Sequence, residues 1–295
     1  MAQHVTAPAV RSRKGGTPLV MVTAYDAPGA RIADEAGVDV VLVGDSVAMV
    51  VLGYDDTLRV TVADMAHHVA AVARARPRAL VVADLPWLSY HVSPEDTVRN
   101  AGALIRAGAS AVKLEGGRRR LPAVRAILDA EIPVMGHLGL TPQSVHALGG
   151  YRVQGRQVDT AGALVDDAVA LAEAGCFALV LECVPAEVAA LVTTGVDVPT
   201  IGIGAGPDCD GQVLVLHDLL GLEDRIAPKF VRRYGSLKAD AVSAVTAYAD
   251  DVRAGRFPSD AESYHLADDV AASLGVPRSS RSSSTGSRTS GSRSA

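Results

Sequence analysis

Residues 93–136 read SPEDTVRNAGALIRAGASAVKLEGGRRRLPAVRAILDAEIPVMG, and this stretch sets the architecture of the chain. Ser93 before Pro94 suits a helix N-cap followed by the first helical position, and Gly108 stands where a helix-ending glycine belongs. The run Ala109–Glu115 (ASAVKLE) follows at once, and a second run, Ile132–Gly136 (IPVMG), lies one helix length further on. Short apolar runs separated by helical segments are the signature of parallel strands covered on both faces.

The same alternation extends in both directions. Upstream lie Leu19–Ala24 (LVMVTA), Asp39–Gly44 (DVVLVG) and Ala79–Asp84 (ALVVAD); downstream lie Cys176–Glu182 (CFALVLE), Val198–Gly204 (VPTIGIG) and Gln212–His217 (QVLVLH). Val62–Arg76 and Thr160–Ala174 have helical character, and Gly37 and Gly175 match Gly108 as helix-ending glycines. Eight strand units, mostly followed by helices, predict an α/β chain closed as a (β/α)8 TIM barrel, with a doubly wound open sheet as the competing arrangement. The gap between the seventh and eighth runs is too short for a full helix. Gly202-Ile-Gly204-Ala-Gly206 invites a dinucleotide reading, but its spacing lacks the third glycine of that fingerprint and it comes late in the chain. The expected organisation is an N-terminal extension over 1–16, a barrel over 17–265, a C-terminal segment over 266–277 and a disordered Ser/Arg-rich tail over 278–295.

Composition narrows the function classes. Hydrophobic residues form 48% of the 295, enough to fill a large core, whereas one Trp, seven Tyr and three Phe argue against a base-stacking nucleic-acid surface. The net charge of −5 includes four Arg in the tail; without them 24 basic residues face 33 acidic ones, giving −9 and a poor polyanion binder. Cys176, Cys183 and Cys209 contain no C-x-x-C pair and read as reduced structural thiols. No signal-peptide pattern or membrane-length apolar run is present, so a cytoplasmic protein is expected, with no membrane and no nucleic-acid partner.

Polar residues interrupt the pattern at the C-terminal ends of the runs: Asp45 and Ser46 after the second, Asp84 at the third, Lys113 and Glu115 at the fourth, His137 after the fifth and Glu182 at the sixth. In a barrel these ends share the face where active sites are built. Strand alternation places Lys113 and Glu115 inside if Val112 and Leu114 face the helices; the same parity groups Glu182 with Val180 and Asp45 with Val43. A charged pair inside a barrel is either an internal ion pair or part of a binding site. Acidic groups from separate strands can form an oxygen-rich site for Mg²⁺, while the His and Cys residues lack zinc-ligand spacing. His67-His68 reads as an outward helix face, and Arg118-Arg119-Arg120 as a solvated helix start.

Eight segments in order then carry a resemblance: VGDS (43–46), VTVAD (60–64), ADLP (83–86), VKLEGG (112–117), GHLGLTPQS (136–144), GGYRVQGR (149–156), LECVP (181–185) and IGIGAG (201–206). Together they resemble the ketopantoate hydroxymethyltransferase family across about residues 17–265. The resemblance implies a (β/α)8 barrel, one Mg²⁺ per subunit, 5,10-methylenetetrahydrofolate as cosubstrate and commonly a homodecamer. It implies Asp45 and Asp84 as metal ligands with Glu115 in support, and Ser46 and Lys113 holding the keto acid alongside Asp45 and Asp84. Glu182 would be the catalytic base and His137 a site-lining residue. Ala48 stands where the family usually has Gly, and Arg59 where Pro often precedes VTVAD; the tail lies outside the family pattern.

The implied reaction converts 3-methyl-2-oxobutanoate to 2-dehydropantoate, in pantothenate biosynthesis. The chemistry is coherent with the residues. A 2-oxo acid can chelate Mg²⁺, which acts as a Lewis acid and stabilises an enolate. Lys113 offers a point charge to the carboxylate, and Glu182, ending an apolar strand, is expected to have a raised pKa suited to a base. Two alternatives stay open at this point. One is a Mg²⁺-dependent lyase or mutase of the isocitrate lyase/phosphoenolpyruvate mutase type. The other is a non-catalytic barrel that senses a keto acid.

Overall fold

The computed structural model describes residues 4–225 and 228–276. Eight parallel strands close into a barrel in sequence order: β1 (Leu19–Thr23), β2 (Val40–Val43), β3 (Leu80–Asp84), β4 (Ala111–Glu115), β5 (Val134–Gly139), β6 (Ala178–Glu182), β7 (Thr200–Ile203) and β8 (Gly211–Leu214). β8 pairs with β1 through Leu19–Gly211 and Met21–Val213, so no edge strand remains. The closed (β/α)8 arrangement expected from the sequence is therefore present, and the open sheet is excluded. The eighth strand is shorter than its apolar run, because Leu216–Leu219 turns into a short helix that takes His217 with it. No helix separates β7 from β8, so the glycines at 202–206 run from a strand into a loop and do not lead into a helix of their own.

Helix boundaries follow the local signals. Asp26, Thr61 and Ser93 each accept a hydrogen bond from the first turn of their helices, Ala27–Glu35, Val62–Arg74 and Pro94–Ala107. Gly37, Gly108 and Gly175 all adopt the left-handed conformation at the far ends. At Gly108 a second reason applies: a Cβ there would lie 2.4 Å from Ala73 Cβ, where Val62–Arg74 packs against its neighbour.

Alternation along each strand divides the core. Val41, Val81, Val112, Leu114, Leu179 and Leu181 pack outward against the helices. Met21, Val40, Leu42, Val82, Met135, Val180 and Val213 fill the barrel interior. Ala7 and Val10, on the helix Ala7–Arg11, are buried in that inner cluster with Leu19 and Phe177 and close the N-terminal end of the barrel. Lys14 Nζ adds an ion pair to Asp210 Oδ2 at 2.9 Å.

The chain divides into two compact units, Met1–Ser236 and Leu237–Ala295. Residues 237–265, read from sequence as part of the barrel domain, lie in the second unit. That unit contains the helices Leu237–Arg253, none of whose residues is buried, and Asp268–Ser273. The Ser/Arg-rich tail at 278–295 lies outside the described residues. Among the described residues, no helix is long and apolar enough to cross a membrane.

Candidate active site

Strand register brings the charged groups together. Asp84 pairs in register with Lys113, Glu115 with His137, and Gly139 with Glu182, so the C-terminal mouth collects residues from β3 to β6 in steps of two residues from pair to pair. These side chains follow the parity of the interior residues Val82, Ala111, Met135 and Val180.

Asp45 does not. Val43 packs outward with the helices, so parity with Val43 would have turned Asp45 away from the mouth. β2 ends at Val43, and the turn at Gly44 rotates Asp45 inward. Gly44 permits this because a Cβ there would sit 3.0 Å from Ser46 Oγ and 3.4 Å from Asp84 Oδ2. The Asp45 amide then donates to Asp84 Oδ2 at 3.0 Å.

Asp45, Ser46, Asp84, Lys113, Glu115, His137 and Glu182, the residues singled out from sequence, all line one cavity of about 490 Å³. Lys113 Nζ lies 2.9 Å from Asp84 Oδ1 and 3.1 Å from His137 Nδ1. His137 in turn stands 3.5 Å from Glu115 Oε1 and 3.2 Å from Glu182 Oε2. The aliphatic residues Leu42, Val180, Ile203 and Val213 form an apolar wall beside these charges. Ala48 and Arg59 are not among the lining residues. Ala48 is fully buried, and the Arg59 guanidinium stands 5.8 Å from the Tyr54 ring centroid.

Burial and crowding set the electrostatics. Burial first, then the neighbouring Asp84 and Glu115 charges, push the Asp45 carboxyl well above the usual aspartate range. Burial also raises Asp84, although Lys113 opposes the rise. Lys113 loses solvation, yet Asp84, Glu115 and Asp45 hold it firmly charged. Burial and the Lys113 charge act to lower His137, but its carboxylate partners prevail and raise it to about 9.

A divalent cation fits this set. Asp45 and Asp84 are 4% and 3% exposed, and Asp84 Oδ1 receives no well-angled hydrogen bond despite its ion pair with Lys113. Of the six carboxylates that line the cavity, Asp45, Asp84, Glu115 and Glu182 cluster at the strand ends about Lys113 and His137, and a cation would relieve the repulsion that Asp84 and Glu115 exert on Asp45. Among the described residues, no three His, Cys, Asp or Glu side chains form a ready cage. The fit therefore rests on two carboxylates, with water and substrate oxygens completing the shell, as Mg²⁺ prefers.

Three residues near the site were not singled out from the sequence, although Gln143 lies within the family segment GHLGLTPQS. Tyr25 places its hydroxyl 2.9 Å from Ser46 Oγ, and Tyr90 and Gln143 are buried behind the carboxylates. All three are uncharged, so a search for charges at strand ends passes over them. His68 also departs from the outward reading: its Nδ1 lies 2.8 Å from the Tyr25 carbonyl oxygen, while His67 remains exposed. Arg118 opens its helix in ion pairs with Asp166 and Asp167, at 3.7 and 2.9 Å. All three cysteines are free.

A closed barrel whose C-terminal mouth gathers buried carboxylates, a lysine and a histidine defines the class: a (β/α)8-barrel enzyme acting on a small anionic substrate. The family profile for ketopantoate hydroxymethyltransferase matches residues 4–260, and the chain belongs to that family. It is 57% identical over 283 residues to 3-methyl-2-oxobutanoate hydroxymethyltransferase 2 of Bradyrhizobium diazoefficiens, covering 95% of this chain and 97% of that one. It is 59% identical over 268 residues to 3-methyl-2-oxobutanoate hydroxymethyltransferase of Moorella thermoacetica, covering 90% of this chain and 100% of that one. Among solved structures, phosphoenolpyruvate phosphomutase from Streptomyces platensis subsp. rosaceus superposes with a TM-score of 0.58 at 15% identity, covering 92% of this chain and 95% of that one. Phosphonopyruvate hydrolase in complex with oxalate and Mg²⁺ gives 0.57 at 16%, covering 91% and 94%. At such identities these two structures share the fold; the sequence relatives separate the transferase from the lyase and mutase alternative.

Proposed function

We propose that the chain transfers a hydroxymethyl group from 5,10-methylenetetrahydrofolate to 3-methyl-2-oxobutanoate, giving 2-dehydropantoate for pantothenate biosynthesis. The observation that carries this reading is the single cavity holding Lys113, Asp45, Asp84 and Glu182 against an apolar wall. A branched 2-oxo acid has the matching parts: a carboxylate, a neighbouring carbonyl and an apolar isopropyl group.

Asp45 and Asp84 would hold one Mg²⁺, with Glu115 behind them. When bound, the cation supplies Lewis-acid polarisation of the keto oxygen and so acidifies the C3 hydrogen. Lys113 and Ser46 bind and orient the carboxylate, Lys113 as a fixed charge and Ser46 as a hydroxyl donor. Leu42, Val180, Ile203 and Val213 exclude water around the isopropyl group. Glu182 takes the C3 proton at a carboxylate oxygen, and His137, 3.2 Å away, holds that carboxylate in place. The C3 carbon then bonds to the one-carbon unit of the folate, and water supplies the hydroxyl group as tetrahydrofolate leaves.

A cytoplasmic homodecamer completes the reading. Val242, Val245, Tyr248 and Val252 stand exposed on the helix Leu237–Arg253, apolar surface of the kind that assembly covers. The deciding test of activity supplies keto acid, methylenetetrahydrofolate and Mg²⁺ and detects the hydroxymethylated acid by mass. Absence of that product, with the protein folded, would overturn the proposal.

A further inference from the structure

Behind the carboxylates lies a buried amide to which the reaction as described gives no task. Gln143 sits in the turn Pro142–Ser144 after β5 and is 5% exposed. Its backbone N–H donates to Glu115 Oε2 at 3.0 Å. Its side-chain Nε2 donates to Asp45 Oδ2 at 2.8 Å and to the Leu85 carbonyl at 2.9 Å. One residue thus grips carboxylates that follow β2 and end β4.

The orientation of the amide is fixed by its surroundings. The Glu115 N–H donates to the Tyr90 hydroxyl oxygen at 3.2 Å, so the Tyr90 proton is free to point elsewhere. It goes to Gln143 Oε1, 2.6 Å away. With Oε1 committed to a donor, Nε2 must face the two acceptors, Leu85 O and Asp45 Oδ2. A flipped amide would set oxygen against oxygen on that side and strand a donor on the other, and buried polar groups without partners are costly. The Asp45 carboxylate is thereby held by one oxygen, and its other oxygen keeps a fixed direction.

We propose that Gln143 is a positioning residue for the divalent cation: its side-chain amide fixes Asp45 in the orientation that receives the metal, its backbone N–H holds Glu115 behind, and Tyr90 fixes the amide. The inference rests on the metal reading given under Proposed function and adds the residue that makes the carboxylates a preorganised site. Groups behind metal ligands typically change affinity by roughly 10- to 100-fold when removed.

The test uses the full-length protein and Mn²⁺ as the probe, titrated by electron paramagnetic resonance without substrates. The wild type should bind Mn²⁺. Gln143→Leu, which keeps the bulk of the side chain and removes the amide, should weaken Mn²⁺ binding by about 10- to 100-fold. Tyr90→Phe keeps the ring and should weaken binding in the same direction by less. The double variant should be close to Gln143→Leu alone, because Tyr90 reaches Asp45 only through that amide and its other bond is to the Glu115 backbone N–H. If Gln143→Leu fails to fold, Tyr90→Phe carries the test.

A purely structural role would lower the thermal midpoint of the metal-free protein and leave the Mn²⁺ dissociation constant unchanged. That result, in a folded Gln143→Leu or Tyr90→Phe protein beside a wild type that binds, would overturn the positioning role alone. A folded wild type that binds no Mn²⁺ would overturn the metal reading and the positioning role with it.

Discussion

Replacing Glu182 by Gln separates proton removal from metal binding. Glu182 closes β6, and its backbone is anchored on both sides by bonds from Leu140 N to Glu182 O at 2.8 Å and from Cys183 N to Ile203 O at 2.9 Å. The side chain is 17% exposed and reaches His137 Nε2 at 3.2 Å. A glutamine has nearly the same shape and can keep its place 3.2 Å from His137 Nε2. Asp45, Asp84 and Lys113 are untouched, so metal and keto-acid affinities should change little. What disappears is the group able to accept the C3 proton. A positioned base contributes about 10² to 10⁴ in rate, equivalent to about 3–5 kcal/mol of barrier. The assay is proton NMR of 3-methyl-2-oxobutanoate in deuterated water with Mg²⁺, with and without tetrahydrofolate, alongside product formation. The wild type should exchange the C3 hydrogen, and the variant should lose exchange and product together by that factor. Near-normal exchange in Glu182→Gln, under conditions where the wild type exchanges, would refute the assignment.

Asp84→Ala should abolish turnover and weaken Mn²⁺ binding while circular dichroism still reports a folded barrel, and full activity of the wild type after exhaustive chelation would contradict the metal reading. Tyr25→Phe should raise KM for the keto acid more than it lowers kcat, because the lost hydroxyl orients Ser46 from 2.9 Å; equal KM in steady-state kinetics would argue against that role. Gly108→Ala should cost about 1–3 kcal/mol in urea denaturation, since the new methyl meets Ala73 at 2.4 Å and the backbone is left-handed. Asp210 loses solvation, but bonds from Thr200, Lys14 and Gly15 leave its carboxyl below the usual aspartate value. A depressed folded-state pKa contributes stability above the unfolded pKa and loses it as pH falls through the folded one. Asp210→Asn should therefore cost about 1–3 kcal/mol at neutral pH, and the gap from wild type should close on acidification below about pH 4; a gap that stays constant down to pH 2 would show that the charge does not matter.

The sequence by itself determined the barrel, the class of site and the inward direction of five of the seven residues singled out for it, for one physical reason. A strand buried on both faces must be apolar, so Asp84, Lys113, Glu115 and Glu182 stand out against the valines and leucines beside them, and alternation states which way they point. His137 follows the same rule, and Ser46 was legible from its place after the second run and from the family segment that contains it. Asp45 was found for the right position and the wrong geometrical reason: parity with Val43 points outward, and only the turn at Gly44 brings it in. The tertiary structure alone decided the supports. Tyr25, Tyr90 and Gln143 are neutral residues from segments far apart in the chain; Gln143 lies within the family segment GHLGLTPQS, but nothing in any of the three stretches gives the residue its partner. Their meaning lies in hydrogen bonds made across the barrel mouth, such as Gln143 to Asp45 over 98 residues of sequence, and such contacts exist only once the strands have closed.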